Sequence, residues 1–154
     1  FDQVGGFDED YFAHQEEIDL CWRFFNAGLE SKYIGSSKVF HLGGATLQNT
    51  NPKKTFLNFR NSLFNLLKNT PGKSVSTVII IRMILDGLAG IQFLISFKFI
   101  HFIAILKAHC SFYQHFNKMI KKRTNTTKYS AYYHKKSIVF LYFVKQIKHF
   151  KAIK

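Results

Sequence analysis

Acidic residues are scarce in this 154-residue chain, and nearly all of them lie in its first third. The chain has nine Asp and Glu against 22 Lys and Arg, and eight of those acids fall in residues 1–50. Residues 51–154 hold nineteen bases and the single acid Asp86. A segment this basic excludes a cationic partner and favours an anionic one, either nucleic acid or an anionic membrane surface.

Cysteine is almost absent as well. The two cysteines, Cys21 and Cys110, are far apart in the sequence. A disulfide framework or a cysteine-based zinc site needs several closely spaced cysteines, so the sequence excludes both and predicts ordinary reduced thiols in a cytosolic setting.

Long uncharged apolar runs are also missing. Residues 75–106 are mostly Ile, Leu, Phe and Val, but their longest stretch without a charged residue is 87–97. A spanning helix needs roughly 20 apolar residues in succession. We therefore expect amphipathic helices that lie in a membrane interface, with Arg82 and Asp86 paired across one turn. A true span with buried polar groups is the alternative.

Two helices are predicted before that region. In residues 16–27 an apolar stripe of period 3.6 indicates a helix with one buried face, and Gly28 follows it as a helix-terminating glycine. The stripe comprises Ile18, Cys21, Trp22 and Phe25. A second helix is predicted to start at Pro52 behind the cap Asn51 and to run to Asn69. Its apolar face comprises Phe56, Phe59, Leu63, Phe64 and Leu67.

Short strands are predicted between the two helices. Residues 33–34 and 39–40 are β-branched or aromatic, and Gly43 and Gly44 end the second pair. His41 directly follows that second strand.

The acids themselves are concentrated in one stretch. Residues 5–23, GGFDEDYFAHQEEIDLCWR, hold six carboxylates beside one His and one Trp. Acids in the first turn of a helix favour the helix dipole, so for each residue alone a structural role is sufficient. The combination is harder to explain this way, because a Gly-Gly-Phe turn, an acidic helix start and a strand-end His follow in order.

These three elements resemble the distal half of the catalytic domain of family 2 glycosyltransferases with the GT-A fold, and most of all the bacterial enzymes that build surface polysaccharides, including rhamnosyltransferase-like members. The resemblance covers residues 4–46 and weakens through residue 70. It implies an α/β parent with a Rossmann-like mixed sheet, whose N-terminal nucleotide-binding half is missing from this chain. The 154 residues themselves are expected to be mostly helical, with a few short strands, and inactive in isolation.

The resemblance also implies a reaction and its base. Such hexosyltransferases move a sugar from a nucleotide-sugar donor to a glycan or lipid-linked acceptor with inversion, and a carboxylate takes the acceptor proton. Glu17 occupies the position of that base, where the family more often has Asp, so Glu16 is the alternative. Asp19 and Arg23, four residues apart, are expected to pair and to orient the site.

The same resemblance implies sugar-binding residues and a metal. Gly5, Gly6, Phe7 and Asp8 would lie against the donor sugar and acceptor, because two glycines allow a close backbone approach. Trp22 would either line the acceptor pocket or pack in the core. His41 is the candidate ligand for a divalent metal, Mg²⁺ or Mn²⁺, with a structural role as the alternative.

Two domains and two function classes follow. Residues 1–72 form the acceptor-side part of the catalytic domain, and 73–154 form a basic, aromatic, membrane-associated helical region. This region would bind the anionic cytoplasmic face of a bacterial inner membrane, peripherally or as an integral part.

The alternative function is a non-catalytic basic module that binds membrane or nucleic acid. We expect no nucleic-acid partner, because the aliphatic residues 75–106 and the acidic stretch do not suit phosphate.

Overall fold

The protein is described by a computed structural model that covers residues 1–40, 50–123 and 138–149. Its five α-helices in these ranges are α1 (Glu16–Asn26), α2 (Pro52–Asn69), α3 (Val75–Ile95), α4 (Phe99–Lys121) and α5 (Ile138–Phe143). Short 3-10 helices span Asp2–Val4, Glu9–Tyr11 and Gly72–Ser74.

Helix α1 forms where the sequence predicts it, but the prediction of its buried face is wrong. The helix buries Asp19, Leu20 and Asn26, whereas Ile18 and Phe25 of the apolar stripe are exposed at 47% and 38%. The reason is that the polar side chains of α1 find hydrogen-bond partners on α2. Burial of the polar face is then compensated by direct contacts, which apolar periodicity alone does not reveal.

Helix α2 begins and ends as predicted. Pro52 occupies its first turn, and the side chain of Asn51 accepts a hydrogen bond from the Lys53 backbone N–H at 2.9 Å. The helix ends at Asn69, directly before Thr70 and Pro71. Its residues Leu63, Phe64 and Leu67 are fully buried, which confirms most of the predicted apolar face.

Helices α3 and α4 form an antiparallel hairpin. Its register follows from contacts that step along both helices: Phe93 stacks on His101, His109 lies 3.1 Å from Asp86, and the Tyr113 hydroxyl lies 3.4 Å from the Met83 sulfur. The predicted Arg82–Asp86 pair is present at 2.6 Å. Gly90 lies at the crossing, where an added Cβ would come within 3.2 Å of the Phe102 ring.

One helix of the described residues, α3, is long and apolar enough to cross a membrane by length and composition. It has 21 residues and a mean hydropathy of 2.0 over its most apolar window, and 17% of that window is buried within the protein.

Helix α2 runs alongside α4 in the same direction. Thr55 near the start of α2 contacts His101 near the start of α4, and Phe64 contacts Phe112 further along. The core joins residues from both sides of position 72, the predicted domain boundary: Tyr11, Leu63, Phe64, Leu67, Ile79, Phe112 and Met119. Helix α2 is therefore the central element, with the hairpin packed on it.

The short strands predicted at 33–34 and 39–40 do not form in the described part of the chain. Residues 29–34 and 37–40 have no regular structure, and the side chains of Tyr33 and Phe40 are 93% and 99% exposed. A strand requires a partner for its backbone N–H and C=O groups, and no described segment lies beside these residues to pair with them. Residues 33–34 and 39–40 are of types that favour strands, but this preference alone does not make them form one.

Candidate functional site

The acidic turn, which comprises residues 5–11, begins with a tight glycine bend. Gly5 and Gly6 have φ values of +80° and +65°, a region that other residues enter at a cost. Phe7 follows with 53% of its surface exposed. Asp8 then caps the 3-10 helix Glu9–Tyr11 by accepting a hydrogen bond from the Asp10 N–H at 3.1 Å. The bend places the backbone of Gly5, the exposed ring of Phe7 and the carboxylate of Asp8 next to one another.

Arg23 of α1 holds this bend in place. Its Nε lies 2.8 Å from the Asp19 carboxylate, which is the predicted ion pair. Its two terminal nitrogens donate to the backbone carbonyls of Val4 and, at 2.6 Å, of Gly6. The planar guanidinium of Arg23 thus links Asp19 to the backbone on both sides of Gly5.

Asp19 is the buried centre of the site. Its side chain is 0% exposed. Besides Arg23, the carboxylate accepts from Lys68 Nζ at 2.8 Å, from Asn69 Nδ2 at 2.8 Å and from the Tyr11 hydroxyl at 3.2 Å. Burial and the nearby Asp19 charge raise the pKa of Tyr11, so the phenol keeps its proton and donates it. With two cations and two further donors around it, the buried charge is paired and hydrogen-bonded.

Three lysines from α2 and the end of α4 neutralise the acidic turn. Asp8 accepts from Lys68 and Lys122 at 2.6 Å each, and Asp10 accepts from Lys122 at 2.7 Å and Lys118 at 2.5 Å. Burial alone would raise the pKa of Asp8, but the hydrogen bonds from Lys122 and Lys68 outweigh it and lower the pKa to about 2. Both carboxylates are therefore ionised and bound at neutral pH.

The segment between the acidic turn and α1 is held in an unfavourable backbone conformation. Phe12 (φ 63°, ψ −57°) is the centre of a γ-turn, closed by a 2.7 Å hydrogen bond from the Ala13 N–H to the Tyr11 carbonyl. His14 and Gln15 also have positive φ, at 67° and 68°. Such residues cost energy and persist only where the surroundings enforce them.

Helix α2 enforces this conformation with a row of amides. Asn61 Nδ2 lies 3.1, 2.9 and 2.7 Å from the carbonyls of Tyr11, Ala13 and His14, which share its two N–H groups. Asn65 Nδ2 donates to the Gln15 carbonyl at 3.3 Å, and its Oδ1 lies 2.7 Å from the Tyr11 hydroxyl, whose one proton is shared between Asn65 and Asp19. Asn61, Asn65 and Asn69, spaced four residues apart on one face of α2, form the amide row.

Neither the amide row nor the set of three lysines was predicted from the sequence. The available signal was the regular spacing of Asn61, Asn65 and Asn69 among the apolar residues in the second half of α2. Asn is a poor helix former because its side chain competes for backbone groups. Three Asn residues at i, i+4 and i+8 therefore indicated a polar contact along one face.

The two candidate bases lie directly after the strained segment, at the start of α1. Glu17 is exposed, and Glu16 is partly buried. Among the described residues, Glu16 Oε2 and His14 Nε2 are buried atoms without a hydrogen-bond partner.

A cavity of about 560 Å³ opens beside the acidic turn. It is lined by Val4, Gly5, Phe7, Asp8, Glu9, Asp10, Arg23, Lys68, Lys118 and Lys122. Three predicted sugar-binding residues, Gly5, Phe7 and Asp8, thus share one lining with Arg23. Gly6 is buried behind them, whereas Glu16, Glu17 and the half-buried Trp22 lie outside this lining.

The described residues do not fit a divalent metal. Within 1–40, 50–123 and 138–149, no group of three or more His, Cys, Asp or Glu side chains is arranged to hold an ion. Asp8 and Asp10, the obvious oxygen ligands, are already bound by lysines. His41, the predicted ligand, lies outside the described residues.

Comparisons with known proteins give a partial similarity. A stretch of 41 residues, 27% of this chain, is 51% identical to the N-acetylglucosaminyl-diphospho-decaprenol L-rhamnosyltransferase of Mycobacterium tuberculosis, in strain CDC 1551 / Oshkosh and in strain ATCC 25618 / H37Rv. The match spans 13% of the length of these curated relatives. No protein-family model and no solved structure matches the chain. The chain therefore contains a glycosyltransferase-like segment.

Proposed function

We propose that this chain is the acceptor-side part of an inverting family 2 glycosyltransferase with a GT-A parent fold. The observation that carries the proposal is the 51% identity over 41 residues to a rhamnosyltransferase. The geometry supports it, because the bend at Gly5 and Gly6, the strained segment and the acidic start of α1 are all held in place by Arg23 and α2. An enzyme site needs this kind of rigid support for its reacting groups.

The proposed reaction is a single displacement at the anomeric carbon of the donor sugar. A bond forms from the acceptor hydroxyl oxygen to that carbon, while the bond from the carbon to the nucleoside diphosphate breaks. The hydroxyl proton passes to a carboxylate acting as general base. Glu17, exposed at the start of α1, is our first choice for the base, and Glu16 with its unpaired oxygen is the second.

The proposed substrates are a nucleotide-sugar donor and a glycan or lipid-linked acceptor. The name of the relative specifies a rhamnosyl group and a lipid diphosphate acceptor for that protein. For this chain we propose the same broad classes, hexosyl transfer to a cell-envelope acceptor. A divalent metal ligated by His41 remains part of the proposal, and no step is assigned to it. The nucleotide-binding half lies outside these 154 residues, so the chain alone should not catalyse transfer.

Replacement of the base tests this assignment. In the product of the complete gene, Glu17→Gln should lower kcat for sugar transfer by roughly 10²–10⁴-fold, because the amide cannot accept the proton. Glu16→Gln should have a much smaller effect, and Glu30→Gln, an exposed acid outside the site, is the matched control. A Glu17→Gln enzyme with normal kcat and a Glu16→Gln enzyme without activity would move the base to Glu16. If all three variants were equally active, the carboxylate mechanism would be wrong.

A further inference from the structure

The outer side of the α3–α4 hairpin is a broad apolar surface. On α3 it comprises Ile80, Ile84, Leu88, Ile91 and Ile95, which are 52–73% exposed and recur at helical spacing along one stripe. These side chains point away from Ile79, Met83, Asp86 and Gly90, which face the other helices.

The neighbouring side of α4 continues this surface. Phe99, Ile103, Leu106 and Tyr113 are 48–61% exposed and recur four, three and seven residues apart. At the turn between the helices, Phe97 is 82% exposed. These ten residues of α3, α4 and the turn are called the hairpin face. A monomeric soluble protein rarely exposes a contiguous apolar surface of this kind without a partner.

The residues around the hairpin face are basic. Helix α4 contains no acidic residue, and after Asp86 the chain has none at all. The exposed lysines Lys98, Lys107 and Lys121 border the face at the turn, along α4 and at its end. An apolar face bordered by lysines matches an anionic bilayer. The apolar side chains contact the acyl chains, and the ammonium groups bind the anionic headgroups.

The packing of α2 decides how the hairpin meets the bilayer. If α3 crossed the membrane, its antiparallel partner α4 would cross too, and α2 lies along α4. Helix α2 holds the buried ion pairs of Lys68 and the strained segment on its other side. A spanning hairpin would carry these charges into hydrocarbon, where each is costly.

The position of the acidic turn agrees with a flat arrangement. Lys118 of α4 and Lys122, which directly follows the helix, hold that turn. At 3.6 residues per turn, Lys122 lies roughly 160° around α4 from Leu106 of the hairpin face. The candidate site is thus on the opposite side of the helix layer from the face.

From these observations we propose that the hairpin face lies flat in the interface of an anionic bilayer, with α3 and α4 parallel to the membrane plane and neither helix crossing it. The inference does not depend on the proposed transferase activity, because it uses only the packing and charge of α2, α3 and α4.

Vesicle binding tests the choice of surface. The purified protein should float with vesicles of phosphatidylcholine and phosphatidylglycerol and bind pure phosphatidylcholine far less. Leu88→Asp should weaken binding by about tenfold or more, since the variant loses one apolar anchor and places a charge in the interface. Ile34→Asp, an equal charge change at a 63% exposed position outside the hairpin, should bind within about twofold of wild type. Equal binding by both variants, or no vesicle binding, would overturn the proposal.

Cysteine labelling tests the flat arrangement. In a Cys21→Ser, Cys110→Ser background, Ser76→Cys and Ser96→Cys place thiols at exposed positions near the two ends of α3. In sealed membrane vesicles from expressing cells, a membrane-impermeant maleimide should reach both thiols from the same side. Protection of one thiol until detergent is added would show that α3 spans the membrane. A circular dichroism melt of each variant checks that it remains folded.

Discussion

Asp8 lines the candidate site and also stabilises the fold. Its carboxylate is bound by Lys68 and Lys122, and these contacts lower its pKa to about 2 from 3.8. A carboxyl whose pKa is lower in the folded state stabilises the protein at any pH above its unfolded pKa. That stability is lost as the pH falls through the folded pKa.

The free energy of unfolding should therefore fall by about 2 kcal/mol between pH 4 and pH 2 because of Asp8 alone. Urea denaturation across this range measures the loss. In Asp8→Asn the fall should be smaller by that amount, whereas Asp2→Asn, an exposed acid near the start of the chain, should keep the wild-type slope. An Asp8→Asn protein with the full wild-type slope would show that Asp8 is not held by its lysines.

Residue spacing in the sequence predicted some of these pairs and not others. Arg23 and Asp19 are four apart on one helix, as are Arg82 and Asp86, and both pairs form. The partners Lys68 and Lys122 of Asp8 are 60 and 114 residues away. No local pattern encodes such a contact, because it depends on how α2 and α4 pack.

At the scale of elements, α2 is the support of the candidate site. Its amide row replaces the backbone partners that the strained segment cannot find in regular structure. The energy required to keep Phe12, His14 and Gln15 at positive φ is offset by these hydrogen bonds.

Asn61→Ala should release the strained segment. The substitution leaves three carbonyls without this amide donor, and we expect it to lower the free energy of unfolding by about 2 kcal/mol. Hydrogen exchange of backbone amides in residues 11–19 should become faster, while exchange in the α3–α4 hairpin stays unchanged. Asn117→Ala, on an exposed part of α4, serves as the control. Unchanged exchange in residues 11–19 would mean that the segment holds its conformation without α2.

Local sequence determines where α2 begins and ends, but it does not determine which face of α1 is buried. The cap Asn51, Pro52 and the breaker after Asn69 act on the neighbouring backbone, so the ends of α2 could be predicted. Which face of α1 is buried depends on α2, since Asp19 and Asn26 turn inward to reach Lys68 and Asn69. Apolar periodicity selected the opposite face for this reason.

At the scale of the whole molecule, the uneven distribution of acid has a structural explanation. Asp8, Asp10 and Asp19, three of the six acids in residues 8–19, are bound by Lys68, Lys118 and Lys122 from later in the chain. Part of the excess basic charge therefore serves the fold, and only the remaining lysines are available to an external partner. Composition alone assigned all of it to that partner.

Four residues of the predicted site lie together in this structure, and others lie apart from them. Gly5, Phe7, Asp8 and Arg23 do share one cavity lining, which a motif with close spacing made predictable. Glu16 and Glu17 lie outside that lining, and His41 lies outside the described residues.

The most direct test of the central claim is a transfer assay on the product of the complete gene. Membranes from expressing cells would be incubated with a panel of radiolabelled nucleotide-sugars, and label in the lipid extract would be compared with the nucleoside diphosphate released. We predict incorporation from one donor class, equal in amount to the diphosphate released and lost in Glu17→Gln. A folded, vesicle-bound protein that transfers no sugar from any donor would contradict the account and leave a non-catalytic membrane-binding module.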